Sequence, residues 1–187
     1  DVVVMDNVRA AFLATSHIVE LGHRRIATIA GATQVSTGTD RLAGFQAALA
    51  AGGVPFDPDL VRSGNFREDD GYAAAMELLR LPSPPSAIFA ANNQMLIGLI
   101  RAIVDLGLSC PRDVSIAAVD DLPWAGAVSP RLTMIRQPVR EMGETVVRLL
   151  LQRIAAPATS EPRHVVLQPE LVVRDSCARW PAVRDPL

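Results

Sequence analysis

The chain has 187 residues, of which 49% are hydrophobic, and a formal net charge of −2. This length allows one sizeable core, or one core and part of another. The charge excludes the basic surface of a domain that holds nucleic-acid phosphates by itself. The two cysteines lie far apart, without a CxxC motif or a histidine at ligand spacing, so we expect a reducing compartment and no disulfide framework or metal site. We also expect no cofactor. The longest apolar stretches are too short to span a bilayer.

Strand-length apolar runs and helix-period apolar patterns alternate over the first two thirds of the chain. Predicted strands span residues 2–5, 26–30, 61–66, 88–89 and 114–119, and predicted helices span residues 8–21, 41–52, 69–81 and 94–105. A polar loop is predicted at residues 31–39. The regular alternation predicts an α/β fold in which a parallel sheet with right-handed crossovers carries helices on both faces.

The pattern changes after Asp121, where a loop rich in proline and glycine interrupts the alternation. A short strand at 133–136, a helix at 139–154 and two short strands at 164–167 and 171–173 follow, and the tail after Asp175 is expected to be frayed. The chain begins inside an apolar run without an initiator methionine. We therefore expect it to be a fragment of a longer protein.

The stretch from Ala87 to Gly107 indicates where a ligand could bind. Its buried strand ends at Asn92, which is typical of the N-cap of the helix that Gly107 stops. Ligands of open α/β sheets bind beyond the carboxyl ends of strands. Phe66 ends one predicted strand, Asp120 follows another, and the chain enters a predicted helix at Arg41. We therefore expect Arg41, Phe66, Asn92 and Asp120 to share one edge of the sheet.

These four side chains have the chemistry of a site for a small polyhydroxylated or heterocyclic ligand. Arginine, asparagine and aspartate offer paired donors and acceptors to vicinal hydroxyls, and an aromatic ring covers an apolar ligand face. Each residue also has an ordinary structural explanation. Arg41 could form a surface ion pair, Asn92 and Asp120 could be helix or turn caps only, and Phe66 could belong to the core. The residues alone leave both interpretations open.

The sequence favours a binding protein over an enzyme. Asp120 and Asp121 are adjacent, so their side chains point apart, and no third acidic or histidine ligand accompanies them. His17 and His23 fit structural or solvated positions. The loop hydroxyls at positions 36 and 37 lack the GxSxG context of a nucleophile elbow. Neither the dinucleotide-binding nor the P-loop glycine motif occurs.

Several segments resemble, in unbroken order, the effector-binding region of LacI/GalR-type bacterial transcriptional regulators. They are HIVELGHRRIATIAG (17–31), DRLAGFQAAL (40–49), PSAIFAANNQM (85–95), PRDVSIAAVDD (111–121), SPRLTMIRQP (129–138) and VVLQPELVVRDS (165–176). The resemblance implies a two-lobed module of the periplasmic-binding-protein-like (type I) fold, of which this chain is mostly the C-terminal lobe. It also implies that the ligand lies in the cleft between the lobes.

The resemblance further implies a domain division and a set of partners. Residues 1–121 would form the C-terminal lobe, 122–156 a return segment of the N-terminal lobe, and 157–187 the terminal strands of the C-terminal lobe and a tail. The protein would be a cytoplasmic homodimer with no membrane partner. It would bind a sugar or related polyol as effector, and operator DNA through a helix-turn-helix headpiece outside this chain. Effector binding would alter lobe closure and so operator affinity.

Motif matching to this family assigns ligand binding to Arg41, Phe66, Asn92 and Asp120. It adds Thr37, because the family's loop at this position often contributes a hydroxyl.

Three positions depart from the family pattern. Asn93 stands where aspartate is common, and Ala118-Val119 stand where a glycine and an aromatic residue are common. Val35 stands where purine-binding relatives carry an arginine, which argues against a purine effector.

The helix at 94–105 is apolar over a wider arc than packing against one sheet requires. Ile97 lies on this arc, so we expect either that it contacts a partner subunit or that the helix is fully buried. Two further functions stay open. A substrate-binding protein of an ABC sugar transporter shares the fold and would carry an upstream secretion signal. A small α/β enzyme would need a nucleophile, base and orienter in one place.

Overall fold

The computed structural model describes residues 1–155 and 161–181. Its strands are β1 (Val2–Met5), β2 (Ile26–Ala30), β3 (Val61–Ser63), β4 (Ala87–Ala90), β5 (Ser115–Val119), β6 (Thr133–Arg136), β7 (His164–Leu167) and β8 (Glu170–Val172). Its α-helices are α1 (Asn7–Glu20), α2 (Ser36–Ala51), α3 (Glu68–Leu79), α4 (Asn93–Asp105) and α5 (Val139–Ala155).

Six strands form the main sheet, in the order β3-β2-β4-β5-β6-β8. The first five are parallel, and β8 is antiparallel to β6. Every residue of β2, β4 and β5 is buried. Because alternate side chains of a strand point to opposite sides, such strands need cover on both faces. Helix α1 packs with α2 on one face and α3 with α4 on the other. The predicted α/β sheet with helices on both faces is confirmed.

A second, smaller sheet pairs β1 with β7 in parallel, and α5 packs against β1. The chain passes between the two sheets three times: from β1 to α1, from β6 to α5, and from β7 to β8. The lobe boundaries expected from the sequence do not follow this pairing. Strand β6 was expected in the other lobe but pairs with β5, because its residues Thr133, Met134 and Ile135 continue the buried part of the main sheet.

Two element boundaries differ from the predicted ones because of local backbone geometry. Strand β3 stops at Ser63, since Asn65 and Phe66 take positive φ angles of 49° and 61°, which an extended strand does not allow. Helix α2 begins at Ser36, inside the predicted polar loop. Thr37 therefore lies in the first turn of a helix.

The expectation of a frayed tail after Asp175 is wrong as far as residue 181. Ser176 is fully buried. Its hydroxyl donates to the carbonyl of Ile116 at 2.7 Å and accepts from the backbone N–H of Thr133 at 2.8 Å. The backbone N–H of Trp180 donates to the carbonyl of Leu21 at 2.8 Å. The segment 175–181 thus closes the amino-terminal edge of the main sheet. Residues 182–187 of the expected tail lie outside the described residues.

In the two described ranges, no helix combines the length and the apolar character that crossing a membrane requires. The same ranges contain no group of three or more side chains placed to hold a metal ion. Cys110 and Cys177 are free and half-buried, and burial raises the pKa of each thiol to about 12.

Candidate ligand-binding site

The candidate site lies where the parallel strands of the main sheet end. Strands β2, β4, β5 and β6 pair in register, so their carboxyl ends meet at one edge. The residues that directly follow them are Gly31, Ala91, Asp120 and Gln137. The paired strands thereby fix where each loop starts, and they position the four residues that follow them.

Arg41 is held in the second turn of α2 and is only 5% exposed. Its Nε donates to Oδ1 of Asn7 at 2.9 Å, and its Nη1 donates to the carbonyl of Ala91. Burial lowers the pKa of Arg41, and the nearby carboxylate of Asp120 opposes that effect. A guanidinium stays protonated in proteins. The site therefore contains a fixed cation near a carboxylate.

Asn92 is both a cap and a link to the aromatic residue of the site. Its Oδ1 accepts from the backbone N–H of Met95 at 2.9 Å, which satisfies the first turn of α4. Its Nδ2 donates to the carbonyl of Phe66 at 3.3 Å. The structural explanation of Asn92 as an N-cap is therefore correct, and the same side chain also fixes the neighbouring turn.

Phe66 lies across the end of β2. Its ring is so close to Gly31 that a Cβ atom there would lie 2.0 Å from the ring's Cζ. Phe66 is half-buried and also packs against the hydrophobic core. Phe66 is thus a core residue on one side, and the left-handed turn at Asn65 and Phe66 sets its direction.

Asp120 projects from the end of β5 with a φ of 82°, a conformation that few residues other than glycine adopt. Its Oδ1 accepts from Nε2 of Gln137, and its Oδ2 accepts from the backbone N–H of Asn93 at 3.4 Å. These three residues line an open hollow of about 270 Å³, together with Asp121, Leu122 and Val139. Asp120 is thus a carboxylate at the wall of a cavity, held by two donors.

The structure brings Arg41, Phe66, Asn92 and Asp120 to one edge, as expected. Contacts run from Arg41 through Ala91 and Asn92 to Phe66, and from Asn93 to Asp120. Only Asp120 of this set lines the 270 Å³ hollow.

Thr37 is half-buried and lies one helical turn before Arg41, so both face the same side of α2. The binding role of all five residues stays a prediction.

The sequence prediction missed Gln137. Its only signal was its position directly after β6, the same relation that identified Asp120 after β5. A glutamine between an arginine and a proline carries no motif of its own. Its hydrogen-bond partner, Asp120, lies 17 residues earlier in the chain, so no local pattern shows the contact.

A model of the periplasmic binding protein-like domain matches residues 15–177, and the chain belongs to this family. It is 40% identical over 172 residues to the HTH-type transcriptional regulator CelR of Thermobifida fusca, a match that covers 92% of the chain and 50% of CelR. It is 33% identical over 181 residues to the HTH-type transcriptional repressor PurR of Escherichia coli O139:H28, covering 97% of the chain and 53% of PurR. The chain thus spans about half the length of these curated relatives.

Solved structures agree with this assignment. The CelR–cellobiose complex superposes with a TM-score of 0.87 over 93% of the chain and 53% of that structure. A LacI family transcriptional regulator from Enterococcus faecium with bound ribose, 32% identical, superposes with a TM-score of 0.88 over 96% of the chain and 66% of that structure. The resemblance to LacI-family effector-binding regions is confirmed.

Proposed function

We propose that this chain is the ligand-sensing domain of a bacterial LacI-type transcriptional regulator and that it binds a small sugar-like effector. The observation that carries the proposal is the placement of Asp120 and Arg41 at one sheet edge. A carboxylate accepts hydrogen bonds from two hydroxyls and a guanidinium donates to others, which is the pairing that vicinal diols need. Within the described residues, Nη2 of Arg41 donates to no protein group and stays open to a ligand.

A sugar is favoured over a nucleobase as effector. Two relatives have solved structures that contain a sugar, cellobiose in CelR and ribose in the Enterococcus faecium regulator. Val35 is exposed at the start of α2 and cannot donate a hydrogen bond from its side chain to a purine. Thr37 and Gln137 add a hydroxyl and an amide at the same edge, which suits a ligand with several hydroxyls. Nothing in this set requires chemistry beyond binding, so the proposed role is not enzymatic.

The proposed binding cleft lies between two lobes that meet at the three chain crossings. We assign the six-stranded sheet with α1 to α4 to the second lobe, and β1, β7 and α5 to the first. In support of this division, α5 carries large apolar side chains that are about half-exposed or more: Val139, Val146, Val147, Leu150, Leu151 and Ile154. Such an exposed apolar face is typical of a helix that packs against another part of the protein. This division replaces the boundaries expected from the sequence.

Effector binding would act through lobe closure. A ligand that touches both lobes favours the closed arrangement only to the extent that it binds it more tightly. Closure would change the spacing of paired headpieces and thereby the affinity for operator DNA in the cytoplasm. The relatives named above are transcriptional regulators, which favours this role over that of an ABC-transporter binding protein.

The proposed homodimer places Ile97 at the seam. Ile97 is half-buried on α4. Beside it Arg101 donates to Glu68 at 2.6 Å and lies 5.0 Å from the ring centroid of Tyr72. An apolar centre with a charged and aromatic rim is the usual anatomy of such an interface. Replacing Ile97 with Asp in the complete protein should give a monomer in light scattering. A dimer that persists would exclude this surface.

The sugar proposal is tested by a thermal-shift and calorimetric panel of cellobiose, ribose, glucose and sorbitol on the complete protein. We expect at least one sugar to bind saturably, and Asp120→Asn to weaken that binding by roughly 10-fold to 100-fold, since asparagine tolerates a left-handed backbone but loses the charge. Asp57→Asn is the matched control, because Asp57 pairs with Arg25 at the surface, away from the site. No binding of any panel sugar, or unchanged binding by Asp120→Asn, would contradict the proposal.

A further inference from the structure

Asp120 is held in a left-handed backbone conformation that most residues with a Cβ avoid. Its φ of 82° is rare for a residue with a Cβ, and such a conformation persists only when the surrounding structure fixes it. Part of the fixation is in the backbone, since the N–H groups of Asp120 and Asp121 both donate to the carbonyl of Ile135 at 3.0 Å. A shared acceptor holds the two N–H groups close together but does not fix the direction of either side chain.

The contacts of the Asp121 side chain also help to fix the backbone of Asp120. This side chain is only 4% exposed and forms ion pairs with two arginines. Nη2 of Arg174 donates to its Oδ2 at 3.0 Å, while Nη1 of Arg174 lies 2.8 Å from its Oδ1 and donates to the carbonyl of Leu132 at 2.6 Å. Nε and Nη2 of Arg136 donate to Oδ2 at 3.1 and 2.8 Å. Asp121 thus joins the end of β5 to β6 and to the residues after β8.

The contacts of the two aspartates run in register. Arg136 holds Asp121, and the next residue, Gln137, holds Asp120. Two consecutive residues at the end of β6 therefore bind the two consecutive aspartates at the end of β5. If Asp121 turned away, the peptide between the two aspartates would rotate, and the carboxylate of Asp120 would leave the wall of the hollow.

The arginines also remove an electrostatic conflict. Two ionised carboxylates on adjacent residues repel each other, which would favour protonation of one of them. Burial alone would raise the pKa of Asp121, but hydrogen bonds from Arg174 and Arg136 outweigh it and lower the pKa. Asp121 therefore stays ionised next to the carboxyl group of Asp120.

We propose that Asp121, although it borders the hollow, is a positioning residue for effector recognition. Its carboxylate is engaged by Arg174 and Arg136, and through these contacts it fixes the backbone of Asp120. The inference rests on the proposed function, since it takes Asp120 to be a sugar-binding residue. The alternative is that Asp121 only stabilises the fold by joining β5, β6 and the residues after β8.

The experiment compares sugar affinity and fold stability in the complete protein. Wild type, Asp121→Asn and the control Asp57→Asn are titrated calorimetrically with the panel sugar that binds wild type, starting with cellobiose, at a temperature well below every melting transition. We expect Asp121→Asn to lose roughly 10-fold in affinity while Asp57→Asn stays within about 2-fold of wild type. A purely stabilising role would lower the melting temperature and leave the dissociation constant unchanged, because the sample remains folded.

Two further variants change the arginines that bind Asp121, in case Asp121→Asn does not fold. Arg136 is 48% exposed, so Arg136→Ala should fold even where Asp121→Asn does not, and should lose affinity by a smaller factor. Arg174→Lys keeps the charge but not the two-pronged contact, and should fall between wild type and Asp121→Asn. Unchanged affinity in all three variants, with Asp120→Asn impaired, would overturn the positioning role alone.

The conformation of Asp120 can also be measured directly, without a bound ligand. A crystal structure of Asp121→Asn, or of Arg136→Ala, should show Asp120 with a negative φ or an altered side-chain direction. Asp120 unchanged in such a structure would overturn the inference. Failure of wild type to bind any panel sugar would instead overturn the proposed function and this inference with it.

Discussion

The two edges of the main sheet are both polar, yet they use their polar groups in opposite ways. At the amino-terminal edge, His23 and Ser115 are buried and bonded to Ala178 of the segment 175–181, and Ser176 of that segment is buried and bonded to Ile116. At the carboxyl edge, Asp120 and Gln137 are half-exposed and border a hollow. The first edge is closed by the chain itself, whereas the second stays open at a hollow of the surface. Polar residues at strand ends therefore indicate a candidate site only where the chain leaves them beside an open hollow.

The comparison predicts that damage to the amino-terminal edge lowers stability and leaves binding intact. Replacing Ser176 with Ala leaves the buried N–H of Thr133 without its acceptor, which should cost about 2 kcal/mol of the free energy of unfolding. For a chain of this size the melting temperature should fall by roughly 4–8 °C. Thermal and urea unfolding measure the loss, and sugar titration checks that affinity is unchanged.

The control for Ser176→Ala is Ser63→Ala. Ser63 is exposed and its hydroxyl donates to Asn65 at 2.9 Å near the surface, so its loss should change stability by less than about 0.5 kcal/mol. Equal stability of Ser176→Ala and wild type would show that the tail does not close this edge.

Damage to the carboxyl edge should act mainly on binding. A methyl group at Gly31 would overlap the ring of Phe66, so Gly31→Ala should displace the ring from the end of β2. We expect a loss of about 1 kcal/mol of stability from overpacking and, if the ring covers the sugar, a roughly 5-fold or greater loss of affinity. Gly143→Ala is the matched control, because no atom of the described residues lies within 4 Å of a Cβ there. Full sugar affinity in Gly31→Ala would exclude a ligand contact by Phe66.

The smallest predicted effect is a pH dependence at the closed edge. Nε2 of His23 lies 3.0 Å from the carbonyl of Ala178, so it carries the proton, and Nδ1 accepts from the hydroxyl of Ser86 at 2.9 Å. Burial lowers the pKa of His23 below its ordinary 6.5, an effect that the hydrogen bond to Ala178 partly opposes.

The sign of that dependence follows from the lowered pKa. The unfolded chain binds a proton on His23 as the pH falls through 6.5, whereas the folded chain does so only at lower pH, so the free energy of unfolding decreases below about pH 6.5. The melting temperature should fall between pH 7.5 and 5.5, and it should fall less in His23→Gln. The pKa of His17 is lowered as well, so some dependence should remain in that variant. An identical pH dependence in the two proteins would show that His23 is not the group that titrates.

The sequence predicted the open edge better than the closed one, and the reason is the range of the interactions. Asn92 is recognisable because a cap bonds to Met95, three residues on. The tail was predicted to be frayed because the partner of Ser176, Ile116, lies 60 residues earlier, and no local pattern records such a bond.

The sheet to which β6 belongs could not be predicted for the same reason. Strand β6 carries the same apolar signal in either sheet, and only its pairing with β5 decides between them. Gln137 was missed because its partner is contributed by another strand end. By contrast, the alternation of strands and helices is written locally along the chain, so the parallel sheet and its covered faces could be predicted.

The most direct measurement is a crystal structure of the complete protein with cellobiose, or with the panel sugar that gives the largest thermal shift. We expect sugar hydroxyls within hydrogen-bond distance of the carboxylate of Asp120 and of Nη2 of Arg41, at the carboxyl edge of the main sheet. A sugar bound at another surface, or at this edge without contact to either side chain, would contradict the proposed binding site.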